Sequence, residues 1–252
     1  MNDLADVLIV PYYQPQYAAQ NSSIVGFEAL LRIKTPDGKI HGPGDIFARI
    51  NSNEDLVSLS LLTAGKILDD MARWRATGSE GRVSINMGAS VLEEPRVVPA
   101  LMEMVRDSGV PPALICFELT ETTLPADMSR LIEVLTRLRM AGFDLSLDDY
   151  GTGGSNYELL RLCPFTELKI DASIIQSAAL EPHSRTFMEV AVAMAKDLGM
   201  AVVGEGIETV PQLEMARKSG IRIIQGYLLS KAVSAAQAHR LITGKEPIVR
   251  TS

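Results

Sequence analysis

The chain has 252 residues, 31 of them acidic and 24 basic, and a formal net charge of −7. With 46% hydrophobic and 22% charged residues it has ordinary globular composition, which excludes a disordered chain. The acidic balance argues against a nucleic-acid polymer as partner, and no apolar run approaches the roughly 18–20 residues of a membrane-spanning helix.

Asp3 and Asp6 stand where a secretory leader would be basic, and Cys116 and Cys163 have neither zinc-pair spacing nor the numbers for a disulfide framework. A reducing, cytoplasmic setting is the default expectation. In chain order, "VLIVPYY" (7–13) and "IVGFEALLR" (24–32) read as strands. The stretch between them, "QPQYAAQNSS", is too short for a crossover helix, so an antiparallel hairpin is expected. Segment 56–74 spaces its apolar residues by three and four without proline and predicts a helix. Further strands are predicted at "RVSIN" (82–86), "LICFELT" (114–120), "DLSLDD" (144–149), "ELKID" (167–171), "AVVGEG" (201–206) and "IRIIQGY" (221–227). Several are so apolar that both faces should be covered. Helices are predicted over 128–143, 184–200 and 210–221, with Gly142, Gly199 and Gly220 as stops. Eight strands in 252 residues average about 31 residues per unit, near the size of a βαβ motif. The expected fold is α/β, a modified TIM-type (β/α)8 barrel with an antiparallel first strand.

In such barrels the reacting groups sit at the C-terminal ends of the strands. Polar residues that a purely structural strand would not select recur there about once per unit: Glu28, Asn86, Glu118, Asp148 with Asp149, Lys169, Glu205 and Gln225. Several have a structural alternative. Glu28 also reads as a half-exposed strand residue, Asn86 as a turn or cap, the aspartate pair before "YGTGG" as turn formers, Glu205 as a helix cap and Gln225 as a strand-end amide. Lys169, between Leu168 and Ile170, is harder to place without a partner or a task. Together, several carboxylates and an amide oxygen at one mouth would repel one another unless a hard divalent cation relieved them. The oxygen donors favour Mg2+ or Mn2+, and His41, His183 and His239 lie away from the predicted strand ends, which argues against zinc. Two such ions bridged by an aspartate suit a phosphodiester, with Lys169 beside the attacking water and Arg32 on a phosphate oxygen.

The ordered segments "GFEALLR" (26–32), "INMGAS" (85–90), "FELTET" (117–122), "LDDYGTG" (147–153), "LKID" (168–171), "GEGIET" (204–209) and "QGY" (225–227) carry a family likeness. The chain resembles the EAL domain, a bacterial phosphodiesterase of cyclic di-GMP, from "YYQPQ" (12–16) to "QGYLLSK" (225–231). The resemblance implies a single EAL domain over 1–252, with its core at about 7–242. It implies metal ligands at Glu28, Asn86, Glu118 and Asp148, a second ion near Asp148, Asp149 and Glu205, and catalytic roles for Glu28, for Lys169 as the water-orienting lysine and for Glu205 as base or second-metal residue. It further implies substrate contacts at Arg32, Gln14, Asp171 and Gln225, and Glu121 as the residue securing the loop after the aspartates. The implied reaction is hydrolysis of cyclic di-GMP to linear pGpG with Mg2+ or Mn2+. A homodimer and a regulatory domain or partner protein are implied in the same way. The chain departs from the family in "DDYGTGGSN", where "DDFGTGYSS" is commoner, and in "ARINSN" (48–53). A catalytically silent receptor of the same nucleotide is the rival reading, and a scaffold that binds no nucleotide a third; the complete set of eight matched residues favours the enzyme.

Overall fold

Two long apolar runs open the chain, and they pair with each other. In the computed structural model, which describes residues 8–35, 37–47, 50, 52–120, 128–152 and 157–245, β1 (Leu8–Ala18) and β2 (Ile24–Lys34) form the expected antiparallel hairpin, in register from Leu8 opposite Lys34 to Gln16 opposite Gly26, with a shift before Tyr17 pairs with Ile24. β1 runs five residues beyond its predicted end, because Gln14, Pro15, Gln16 and Tyr17 stay in the ladder as buried residues despite their turn-like composition. A short β3 (Ile40–His41) extends the edge of β2.

α1 (Gly44–Phe47) and α2 (Asn53–Ala76) lead to β4 (Val83–Asn86). α2 covers the predicted 56–74 and is N-capped by Ser52, whose side chain accepts from the Asp55 N–H. α3 (Ala89–Leu92) and α4 (Val97–Ser108) precede β5 (Ile115–Thr120). From the sequence no helix is expected over 97–108, a stretch flanked by Pro95 and containing Pro99. Pro99 falls in the first turn of α4, where a missing N–H costs nothing, and the helix buries Val97, Val98, Leu101 and Val105. α5 (Met128–Met140), β6 (Asp144–Tyr150), α6 (Tyr157–Leu162), β7 (Glu167–Ile170), α7 (Ala172–Ala178), α8 (Pro182–Asp197), β8 (Ala201–Gly204), α9 (Val210–Lys218), β9 (Ile223–Ile224), β10 (Val233–Ser234) and α10 (Ala235–Ile242) complete the described elements. Gly142 and Gly199 take the left-handed φ of 94° and 74° at their predicted helix stops.

The strands close into a ring. β2, β4, β5, β6, β7, β8 and β9 follow one another as parallel neighbours, and β1 seals the gap antiparallel to both β9 and β2. The fold is therefore the predicted eight-stranded α/β barrel with an antiparallel first strand. Its strands are apolar on the helix-facing side: Phe117, Leu119, Leu145, Leu147, Leu168 and Ile170 are all essentially inaccessible. Inside, Ser84, Glu118, Ser146, Glu167 and Lys169 are buried polar residues. At the N-terminal end of the barrel Arg82 contacts Glu167 at 3.0 Å and Asp144 at 3.4 Å, which leaves the opposite end as the open mouth. No described helix is long and apolar enough to cross a membrane.

Candidate active site

At the mouth, strand register sets the layout. Glu28 on β2 lies opposite Gln14 on β1 and Ser84 on β4, and Asn86 on β4 lies opposite Glu118 on β5. Lys169 occupies β7, while Glu205 and Gln225 are the first residues after β8 and β9. Because neighbouring parallel strands align these positions, side chains scattered over nearly 200 residues of sequence converge.

Lys169 is fully buried at the centre. Its Nζ lies 2.8 Å from Glu205 Oε1, 2.9 Å from Glu118 Oε2, 3.0 Å from Asp148 Oδ1 and 3.5 Å from Glu28 Oε2. Glu28 is further held by the amides of Gln225, 2.5 Å from Oε2, and Asn86, 3.2 Å from Oε1. The carboxylate oxygens of Glu28, Glu118 and Asp148 fall within 4.8 Å of one another, as do those of Asp148, Asp149 and Glu205. The structure thus brings together Glu28, Asn86, Glu118, Asp148, Asp149, Lys169, Glu205 and Gln225. Gln14 lies beside them, lining the adjoining cleft with its amide 3.4 Å from the Ser230 carbonyl.

Two predicted residues are placed differently. Arg32 sits on β2 beyond Glu28, outside the lining of the cleft, and its guanidinium donates to the carbonyl of Leu31 at 2.8 Å. Asp171 caps α7, its Oδ1 accepting the Ser173 N–H at 2.9 Å. Glu121 lies outside the described residues, as do Gly154 and Asn156 of the altered loop.

One cation cannot neutralise the four carboxylates clustered around it, and the local electrostatics follow from that imbalance. Burial alone would depress Lys169, but Glu118, Glu205, Glu28 and Asp148 outweigh it and hold the ammonium charged, well above its ordinary value. Burial pushes Glu118 well up, against the pull of Lys169, with Glu28 and Asp148 adding to the rise. Burial likewise raises Glu205 to about 8, with Lys169 opposing and Asp148 and Glu28 reinforcing. Glu28 goes the other way: burial would raise it, yet Lys169, Gln225 and Asn86 together keep it ionised. Asp149 is raised by burial and by the charges of Asp148 and Asp171.

The donor set fits a hard divalent cation. Glu118 Oε1 and Gln225 Oε1 are buried and have no hydrogen-bond partner among the described residues, an arrangement that costs roughly 1–3 kcal/mol per atom unless a further group meets them. Oxygen donors from carboxylate and amide, with neither His nor Cys among them, suit Mg2+, Mn2+ or Ca2+ rather than zinc.

The adjoining cleft has a volume of about 310 Å3. Besides Gln14, Glu28, Glu205 and Gln225 it is lined by Gln176, Glu208 and Tyr227, to which sequence reasoning assigned no role. Tyr227 is half exposed, and the Lys231 ammonium sits 5.5 Å from its ring centroid. The "QGY" run contains Tyr227, whereas Gln176 sits on the short α7, which apolar spacing does not reveal. Behind the cleft the backbone is pressed tight. A Cβ on Gly226 would lie 2.1 Å from the Ile207 carbonyl oxygen, and Ile207 is tied on both sides, donating to Gln225 O and accepting from Leu228 N. Gly226→Ala is therefore expected to lower unfolding free energy by about 3 kcal/mol or more. Gly42→Ala, where nothing lies within 4 Å, should change it by under about 0.5 kcal/mol. Denaturant midpoints of the two variants check this, and equal midpoints would refute the crowding at Gly226.

With the geometry in place, three comparisons bear on it. The family model described as "EAL domain" matches residues 2–232. A Pseudomonas aeruginosa protein, the cyclic di-GMP phosphodiesterase NbdA, is 32% identical over 237 residues, covering 92% of this chain and 30% of its own length. Among solved structures, the EAL enzyme Bd1971 in its cAMP- and cyclic di-GMP-bound form superposes with a TM-score of 0.87 at 27% identity, over 96% of this chain and 66% of that one. The Klebsiella pneumoniae BlrP1 manganese and cyclic di-GMP complex gives 0.79 at 26% identity, over 92% of this chain and 61% of that one. The chain spans less than half the length of the curated relatives it matches.

Proposed function

Because the chain belongs to the EAL-domain family, we propose that it hydrolyses one phosphodiester bond of cyclic di-GMP to give linear pGpG. The observation that carries this reading is the buried Lys169 ammonium within 3.5 Å of four carboxylates, with Asn86 and Gln225 completing an all-oxygen donor set.

In this reading Glu28, Asn86, Glu118 and Asp148 would hold one divalent ion, and Asp148, Asp149 and Glu205 would hold a second. Bound Mg2+ or Mn2+ would supply Lewis-acid polarisation of the phosphoryl oxygens and acidification of water. The chain's own groups do the rest. Lys169, charged and desolvated, fixes the attacking water by hydrogen bonding and offsets negative charge that grows on the phosphoryl group. Glu205, in contact with Lys169, takes the proton of that water. Water adds to phosphorus, the bond from phosphorus to one ribose 3′ oxygen breaks, and that oxygen leaves as a hydroxyl after gaining a proton from solvent. Gln14 and Gln225 present amides to the nucleotide in the cleft, Arg32 reaches a phosphate oxygen from the rim once released from the Leu31 carbonyl, and Asp171 fixes the start of α7 at the cleft edge. We place this chemistry in a homodimer, under the control of an adjoining domain or a partner protein.

The test is incubation of the purified protein with cyclic di-GMP and Mg2+, with pGpG followed by chromatography. Product is expected, is lost with EDTA, returns with Mn2+, and falls at least about 10³-fold in Glu28→Ala. Nucleotide binding without product would favour a silent receptor, and Glu28→Ala with unchanged kcat would defeat the site assignment.

A further inference from the structure

The strand that carries the paired aspartates is not regular. Leu147 faces Leu168 on β7 and Tyr150 faces Ile170, so three steps along β6 match two along β7 and a bulge falls at Asp148–Asp149. Consecutive side chains of a regular strand point to opposite faces, whereas a bulge re-aims them. Asp149 takes a left-handed φ of 56°, a conformation that costs a non-glycine residue roughly 1–2 kcal/mol and persists only where the surroundings impose it. The outcome is that Asp148 and Asp149, adjacent in sequence, both offer oxygens to the same group as Glu205.

Within the acidic cluster Asp148 Oδ1 accepts the Asp149 N–H at 2.9 Å, and further contacts that hold the bulge lie outside it. Tyr150 is 5% exposed, and its ring is stacked by Phe187 of α8, with centroids 6.1 Å apart and planes at 16°. Gly151 is wedged against α7 and α8: a Cβ there would lie 2.9 Å from Ile174 Cγ1 and 3.1 Å from Phe187 Cε1. The Tyr150 carbonyl accepts the Asp171 N–H at 3.4 Å, and the Asp149 carbonyl accepts the Thr152 N–H at 3.2 Å and its hydroxyl at 3.0 Å. Phe187 is itself 37% exposed. A helix-surface phenylalanine that stacks on the residue after the aspartates contributes little to the barrel core, whose strand ladders do not depend on it.

We propose that Phe187 is a positioning residue. Its ring clamps Tyr150 and Gly151 so that the bulge keeps the Asp149 carboxylate beside Asp148 and Glu205, and this sets the affinity of that trio for a divalent cation. The phosphodiesterase reading enters only through the consequence for turnover; cation uptake is measured independently of it.

The experiment is Mn2+ titration of the purified chain, with free Mn2+ read by electron paramagnetic resonance, for the wild type, Phe187→Ala, Phe187→Tyr, Asp149→Asn and the Phe187→Ala/Asp149→Asn double variant. Phe187→Ala is expected to weaken Mn2+ binding about tenfold or more, the scale of losing a group that orients a ligand. Phe187→Tyr should stay within about twofold of wild type, since it keeps the stacked ring. Adding Phe187→Ala to Asp149→Asn should cost less than about twofold further, because the residue it positions is already gone. Should Phe187→Ala fail to fold, Phe187→Leu keeps the apolar bulk, lacks the ring plane and carries the same expectation. Unchanged Mn2+ affinity, or a loss that adds in full to that of Asp149→Asn, overturns the proposal. Wild-type protein that binds Mn2+ but yields no pGpG would defeat the phosphodiesterase reading and leave this one standing.

Discussion

Lys169→Met is expected to destabilise the metal-free protein by about 3–5 kcal/mol and to cut turnover by about 10²–10⁴ while leaving cyclic di-GMP binding largely intact. Methionine matches the lysine stem in length and apolar character, so the apolar contacts of the stem are kept and what disappears is the charge. Glu118, Glu28, Asp148 and Glu205 then face one another across a buried space with no cation among them. Taking one partner out of a buried ionic cluster leaves desolvated charge uncompensated, which is why the loss greatly exceeds that of an exposed ion pair. Divalent cation supplies the missing positive charge, so Mn2+ should raise the melting temperature of Lys169→Met more than that of the wild type, by the usual mass-action coupling of binding to folding. The measurement is calorimetric melting in EDTA and in Mn2+, alongside kcat and KM. A variant as stable as wild type in EDTA would mean that Lys169 does not hold the cluster together. A loss confined to KM would remove it from the chemical step.

The same residues explain which parts of the protein were legible in the sequence. Strands covered on both faces show as apolar runs, so β5, β6, β7 and β8 sit within two residues of their predicted ends. β9 shrinks to Ile223–Ile224 because Gln225 and Gly226 leave the ladder to pass over Ile207, a close approach that only the folded backbone reveals. α7 stays hidden because seven residues capped by Asp171 give too little periodicity to register. The acidic mouth was readable for a simple reason: a polar side chain ending an otherwise apolar strand is costly unless it has a partner, and it recurs once per unit. The bulge was not readable. The family resemblance implies both Asp148 and Asp149 beside a second ion, but period-two spacing places them on opposite faces, and the geometry of their convergence rests on the left-handed Asp149, the buried Tyr150 ring and a phenylalanine nearly forty residues away on α8. The position of Arg32, folded against its own strand, was equally out of reach, since a spacing pattern says nothing of a side chain's local hydrogen bond.

Surplus negative charge at the mouth also fixes how stability responds to pH. Glu205 has a folded-state pKa of about 8 against an ordinary 4.5, so between those values the folded protein keeps a proton that the unfolded chain releases. Stability from this group is present in full below about pH 4.5, declines as pH rises through the window and is exhausted above about 8; Glu118, raised in the same sense, adds to the fall. For Glu205 the change amounts to at most about 5 kcal/mol. In EDTA the melting temperature of the wild type, taken relative to Glu205→Gln, should therefore drop steadily from pH 5 to pH 8. Divalent cation competes with those protons for the same oxygens, so its apparent affinity should climb over the same range and the relative drop should vanish at saturating Mn2+. Melting curves at half-unit pH steps, with and without Mn2+, separate the two effects. If the wild type and Glu205→Gln ran parallel in EDTA, Glu205 would carry no extra proton at neutral pH. The crowding of Glu28, Asp148 and Glu205 around a single lysine would then have to be relieved by some means other than protonation.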